Sequence, residues 1–280
     1  MGVVPILRRR ALTTVLAAIL GVGVLSGGTT PALLEDGGAT TAVQRPDAPG
    51  SPAGDRGADG EPAVGATDHP TGRPAKAEVT WSPPSAEAVL RAQRARAGLT
   101  AAQIPASASG QLVTVPGAAG PPRAAGRVVT VRVEVEAGLP ANGSAFADHV
   151  MTILNDPRGW GRDGSVVFAR TDGAADVGVV LASATLTDAL CAPLRTLGRV
   201  SCASDGLAVL NVERWSAGAE PFLAAGGTVP AYREYLVNHE VGHLLGHTHV
   251  TCPGPGQPAP VMLQQSLDLG GCQPAGWPFP

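Results

Sequence analysis

The sequence lacks an excess of charge of either sign: 280 residues carry 20 Lys and Arg against 23 Asp and Glu. A chain so balanced projects no strong field toward nucleic acid or an anionic membrane surface, so nucleic acid is not an expected partner. Cysteine is absent before Cys191, and the four that exist, at Cys191, Cys202, Cys252 and Cys272, include no C-x-x-C pair. That removes the usual spacing of a cysteine-based zinc site. A repeat of fixed period is also missing, which argues against a solenoid or array. From about Glu35 to Pro74 large apolar side chains almost disappear, and Gly, Pro, Ala and Asp take their place. Such a stretch cannot bury enough surface to offset its ordering entropy, and it reads as a disordered stalk.

The N-terminus does carry a signal. Arg8, Arg9 and Arg10 precede an uncharged apolar run over residues 11–25, the pattern of an export segment. The run is short for a bilayer span, which favours a cleaved signal peptide, yet no clear small-x-small site follows Leu25. A membrane tether through residues 11–25 therefore stays open beside cleavage, and a twin-arginine signal is a poorer match at Ala11 and Leu12. Either way the rest of the chain is expected outside the cytoplasm, secreted or anchored to the cell membrane. An even number of cysteines there implies disulfides. Of three formal pairings, Cys191 with Cys202 and Cys252 with Cys272 is favoured, because each pair brackets a loop rich in Gly, Pro or Ser.

Residues 1–30 are thus read as signal peptide or anchor, 31–76 as stalk, 77–126 as a poorly defined N-terminal extension and 127–280 as the main domain. Ser85 to Ala97 suits a short solvated stalk helix bearing Arg91, Arg94 and Arg96, in preference to a lipid-binding one. In Arg127 to Glu136, the polar Thr130, Arg132, Glu134 and Glu136 alternate with valines, as in a half-buried strand. Ser144 is the expected cap of a helix ending near Leu154, with Phe146, Val150, Ile153 and Leu154 on its buried face. Shorter strands are expected at Val166 to Ala169, Val177 to Leu181 and Leu207 to Val212. The order implies an α/β (α+β) sandwich of a mixed twisted sheet with long helices.

The segment from Asn238 to His249 contains H-E-x-x-H extended by x-x-G-x-x-H. His239 and His243 stand one helical turn apart, so their imidazoles leave the same face and can share a metal ion. Glu240 is displaced around the helix, where it can reach an activated water as general base without occupying a ligand position. Val237, Val241, Leu244 and Leu245 form an apolar stripe against the core. Pro230 suits the first helical turn, and Gly246 suits the turn that ends the helix and brings back His249 as third ligand. Three neutral histidines leave one tetrahedral position open, the arrangement of a single catalytic Zn2+ ion.

This extended motif resembles that of the metzincin clan of zinc metallopeptidases. More closely, Asn238 to His249, Cys252-Pro253-Gly254, Ala259 to Met262 and Gln264-Gln265 resemble an uncharacterised family of exported, metzincin-like domains from high-GC Gram-positive bacteria. That resemblance extends upstream through Asn155 to Trp160 and Asn211 to Trp215. It implies a zincin sandwich in which Met262, within a methionine turn, packs beneath the metal. The implied activity is hydrolysis of peptide bonds in peptides, proteins or cell-wall peptides by a monomeric enzyme. A zinc-stabilised, non-catalytic cell-envelope binding domain is the alternative. Two departures from better-known clan members stand out: no tyrosine follows Met262, and no early cysteine exists to hold the site latent.

His247 and Asp268 are rival third ligands, the first set aside because it follows the turn glycine, the second because His249 stands at the expected place. His69 and His149 lack a partner pattern and read as surface residues. Val177 to Leu181 is a candidate edge strand for an extended peptide. Arg214 and Trp215 are candidates for a substrate pocket, although a buried Trp beside a surface Arg is the commoner meaning. Arg195 and Arg199 read as solvated.

Overall fold

The computed structural model describes residues 82–280, which fall in a compact unit spanning Lys76–Pro280. The expectations for residues 1–30 and 31–76, including the membrane tether and His69, lie outside the described residues. Among the described residues no helix is long and apolar enough to cross a membrane.

The described elements run α1 (Ala86–Arg96), β1 (Leu112–Thr114), β2 (Arg127–Glu136), α2 (Gly143–Leu154), β3 (Val166–Arg170), β4 (Val177–Ala182), α3 (Ala184–Cys191), β5 (Cys202–Ser204), β6 (Leu207–Asn211), α4 (Val212–Ala217), α5 (Glu220–Ala224) and α6 (Val229–Leu244). They form a mixed α/β domain around one six-stranded sheet. β2 is its hub. Its first half pairs in parallel with β3 and its last residues pair antiparallel with β1, while β4 lies in parallel on the other side. β6 follows β4 in parallel, and β5 closes that edge antiparallel to β6.

Strand periodicity divides the core in two. Val129, Val131 and Val133 of β2, Val179 and Leu181 of β4, and Ala208 and Leu210 of β6 face α2, α4 and α6. The intervening Val180, Ala182 and Val209 face the other way and pack with Leu186 and Cys191 of α3. Side chains two residues apart share a face of a strand, so one run of valine, leucine and alanine serves both layers.

Several expectations need correction. β4 is not an edge strand: it lies between β2 and β6 and is buried throughout, because helices cover both faces of the sheet. The edge nearest β6 is β5, three residues long. The alternation in β2 holds to Val133 and then fails, since Glu134 and Glu136 are both buried. Glu136 keeps its carboxylate inside by accepting from Ser183 N at 2.7 Å and Gly110 N at 2.8 Å, the first of these at the start of α3. α2 is capped by Asn142, whose Oδ1 accepts from Ala145 N at 3.0 Å, and Ser144 lies inside its first turn. β1, α3, β5, α4 and α5 had no counterpart in the sequence reading.

α1 is capped by Ser85 and exposed along most of its length, but it is not a free stalk helix. Ala97 at its end is fully buried and accepts from Trp215 Nε1 at 2.9 Å. The Arg233 guanidinium, only 2% exposed, joins three elements by donating to the carbonyls of Trp215, Ser216 and Gln93.

Candidate metal centre

α6 is fixed at both ends by its own chemistry. Thr228 Oγ1 accepts from Ala231 N, and Pro230 stands in the first turn, where no amide proton is needed. At the other end Gly246 takes a φ of +99°. Its amide bonds to His243 O at 3.0 Å, and the next amide, of His247, bonds to Gly242 O at 3.0 Å. This is a Schellman closure, which favours glycine because of its positive φ. Between these ends the helix is buried on nearly every side from Tyr232 to Gly242, with Val237 and Val241 fully inside. Leu244 and Leu245 are only partly covered, so the expected stripe fades at the last turn.

The turn after Gly246 brings the three histidines together. The candidate ligand atoms of His239, His243 and His249 lie within 4.8 Å of one another, and the Nε2 atoms of His243 and His249 are 3.0 Å apart. His239 Nδ1 is 2.8 Å from Val261 O, and His243 Nδ1 is 2.9 Å from His247 O. A carbonyl only accepts, so each Nδ1 carries the ring proton and each Nε2 presents a lone pair to the cluster. Burial lowers the His239 pKa to about 4, which keeps that ring neutral at pH 7, and it also lowers the pKa of His249. Imidazoles whose Nδ1 is held by a backbone carbonyl, as Val261 O and His247 O hold His239 and His243, fit a borderline divalent cation.

Glu240 lines the same cavity, of about 440 Å³, and is itself buried. Loss of water raises its carboxyl pKa to about 8. A neighbouring cation would draw that value back toward neutrality, the range in which a group can both take and return a proton. Tyr235 lies one turn before His239, with ring centroids 5.1 Å apart, and also lines the cavity. Its hydroxyl donates to Leu263 O at 3.2 Å, tying α6 to the segment after Met262.

Met262 is buried against the helix at Gly242. A Cβ added to that glycine would come within 2.7 Å of both Met262 Sδ and the Trp160 ring. The residue between Val241 and His243 therefore has no room for a side chain. Trp160 also donates Nε1 to Asn238 O at 2.9 Å, gripping the helix one residue before His239.

His247 stacks on Trp160, with centroids 4.1 Å apart, and lies outside the histidine cluster. Asp268 accepts from Gly270 N in an exposed turn. Trp215 is fully buried, and Arg214 donates to Gly218 O, so neither enters the cavity. His149 is not a surface residue: it packs edge-on against Trp215, and its Nε2 is buried without a partner. Arg199 is exposed as expected, whereas Arg195 is exposed and also lines the cavity. Both disulfides form, Cys191 with Cys202 and Cys252 with Cys272.

Sequence reading missed the roles of Trp160 and Tyr235 and the position of β5. The glycine inside the motif was the one available hint, because it marks close approach by another group.

Fold and site together define a mixed α/β domain with a three-histidine cluster, able to take a metal, beside a buried carboxylate. The chain belongs to the family described as "Protein of unknown function (DUF3152)", whose model matches residues 99–279. No curated protein and no solved structure matched the chain.

Proposed function

We propose that this protein is an exported zinc metallopeptidase of the metzincin type. The observation that carries the reading is the convergence of His239, His243 and His249 in one cavity with the buried Glu240. His239, His243 and His249 would hold one zinc ion, and Met262 would floor the site without ligating it. When bound, zinc supplies Lewis acidity, which acidifies water and polarises a scissile carbonyl. Glu240 takes the proton of the attacking water and returns it to the leaving amine. β5, paired only with β6 among the described residues and contributing Cys202 and Ala203 to the cavity wall, offers the strand edge an extended peptide needs. The two disulfides support an oxidising, extracytoplasmic setting.

The test is digestion of a diverse unstructured peptide mixture by the zinc-loaded protein, read by mass spectrometry. The parent is expected to cut, and Glu240→Ala to retain zinc while losing roughly 10²–10⁴-fold in rate. Equal turnover in Glu240→Ala would remove the general base from the scheme. Zinc binding with no cleavage by the parent would favour a non-catalytic envelope binding domain.

A further inference from the structure

The cavity mouth holds one cation that the proposed chemistry does not use. Arg195 lies in the loop closed by the Cys191–Cys202 disulfide, and that loop is tightly held. Asp188 accepts both from the Thr196 hydroxyl and from Gly198 N, the latter at 2.7 Å, while Asn211 Nδ2 donates to Gly198 O at 2.9 Å. Two internal turns, Leu194 N to Cys191 O and Arg199 N to Thr196 O, complete the anchoring. The disulfide and these bonds fix the loop backbone, so the Arg195 guanidinium projects from a rigid base.

Among the described residues Arg195 takes part in none of the ion pairs, which join Arg91 to Glu87, Arg132 to Glu134, Arg158 to Asp156 and Arg170 to Asp148. Among the described residues Glu240 is the one carboxyl group lining the cavity, and it is buried. Arg195 is therefore the exposed charge of the cavity lining, and a divalent ion held by three neutral histidines would add to its positive field. Its exposed apolar surface comes from Leu194, 58% exposed, and Leu267, 57% exposed. The first belongs to the same loop as Arg195, the second to the segment after Met262.

We infer that Arg195 is a specificity residue that selects peptides presenting a carboxylate beside the scissile bond, next to an apolar residue. The inference rests on the peptidase reading for its placement of substrate, and on charge complementarity for its sign. A carboxylate can come from an Asp or Glu side chain or from a free peptide C-terminus, and both would meet the same guanidinium.

The experiment measures binding of short fluorescent peptides to the zinc-loaded full chain carrying Glu240→Ala, so that peptide is not consumed. The peptides contain a leucine beside Glu, Gln or Lys, each made with a free or an amidated C-terminus. With Arg195 in place, the carboxylate-bearing peptide is expected to bind roughly three- to tenfold tighter, with the margin shrinking as salt rises. Preference among the amidated peptides assigns a side-chain carboxylate, and preference for the free terminus regardless of Glu assigns the C-terminal one. Arg195→Ala should abolish the preference, and Arg195→Glu should reverse it toward a Lys-containing peptide. Both variants should keep the parent's melting temperature, since the side chain is exposed.

Equal binding of Glu and Gln peptides with either terminus, survival of the preference in Arg195→Ala, or no binding of any peptide overturns the inference. Parent cleavage, measured separately with the same peptides, distinguishes the two readings. Carboxylate-selective binding without cleavage sinks the peptidase and leaves Arg195 as a recognition residue. Cleavage indifferent to the carboxylate does the reverse.

Discussion

Two of the three clustered histidines stand on a helix enclosed by packing, and the third stands on a chain segment with neither helix nor strand. His239 and His243 belong to α6, whose body is buried against β6, α2 and α4 and braced by Trp160 and Tyr235. His249 belongs to the stretch from Gly246 to Pro280, which contains turns and isolated bridges instead of regular elements. That stretch is held by discrete ties. Val250 N donates to Met262 O, Gln265 exchanges two hydrogen bonds with the Ala275 backbone, and Cys252 is joined to Cys272. A small apolar cluster of Ala259, Leu263 and Cys272 closes around the disulfide.

The contrast shows two ways of holding a histidine in the cluster. A helical histidine inherits its position from many apolar contacts, each small, whose loss is graded. A loop histidine depends on a few covalent and polar ties, so losing one matters locally and leaves the rest of the domain standing. Both halves meet at Val261 and Met262. The Val261 carbonyl orients the buried His239 from the irregular side, and Met262 packs into the notch left by Gly242.

The largest test of the packed half is Trp215→Ala. Trp215 is fully buried, meets Phe146 edge-on at 5.2 Å and offers its carbonyl to Arg233 Nε at 2.7 Å. Its removal is expected to destabilise the whole domain by about 3–5 kcal/mol, read as a drop in the denaturant midpoint. A loss below about 1 kcal/mol would mean that the helical half does not depend on this core.

Acid should strike the same half next. Burial, reinforced by Arg233 and Arg96, lowers the His149 pKa to about 4. Its unfolded value is near 6.5, so between these limits the unfolded chain binds a proton that the folded one refuses. The neutral-His149 contribution is therefore complete above about pH 6.5 and lost as pH falls toward 4, amounting to roughly 3 kcal/mol at most. Stability of the parent minus that of His149→Gln, followed by denaturation across this window, should show that slope. Parallel curves would place the acid sensitivity elsewhere.

The smallest expected effect belongs to the irregular half. Replacing Cys252 and Cys272 together by serine should weaken the zinc affinity proposed for the cluster by roughly ten- to a hundredfold, as loss of an outer support does. Far-ultraviolet dichroism at neutral pH should hardly change, because α6 does not depend on that bridge. Loss of helix signal in this variant would show that the two halves fold as one, and would break the comparison.

What could be read in advance follows the same division. The body of β2, the end of α2, the span of β3 and the course of α6 were legible because periodicity and punctuation act locally: alternating valines, Asn155-Asp156-Pro157 after Leu154, Pro230 before the motif and Gly246 after it. The histidine spacing and the two cysteine pairs were legible for the same reason. β1 and β5 were not, since three-residue strands carry too little pattern and exist only because a longer strand pairs with them. The burial of Glu136 and His149 was also hidden, because each depends on groups far along the chain: Ser183 and Gly110 in one case, Trp215 in the other.

The sequence by itself determined that a helix would carry His239, Glu240 and His243 in register, that it would end at a glycine turn, and that His249 would follow within reach. Those are consequences of residue spacing on a helix and of the backbone freedom of glycine, both settled within a few residues. Tertiary structure alone decided which strand lines the cavity beside the histidines and where Trp160 and Met262 press on Gly242. It also placed Arg195, which joins no ion pair among the described residues, at the mouth of the cavity. Each of those joins segments distant in the chain, and which distant surfaces meet is settled by the packing of the whole sheet.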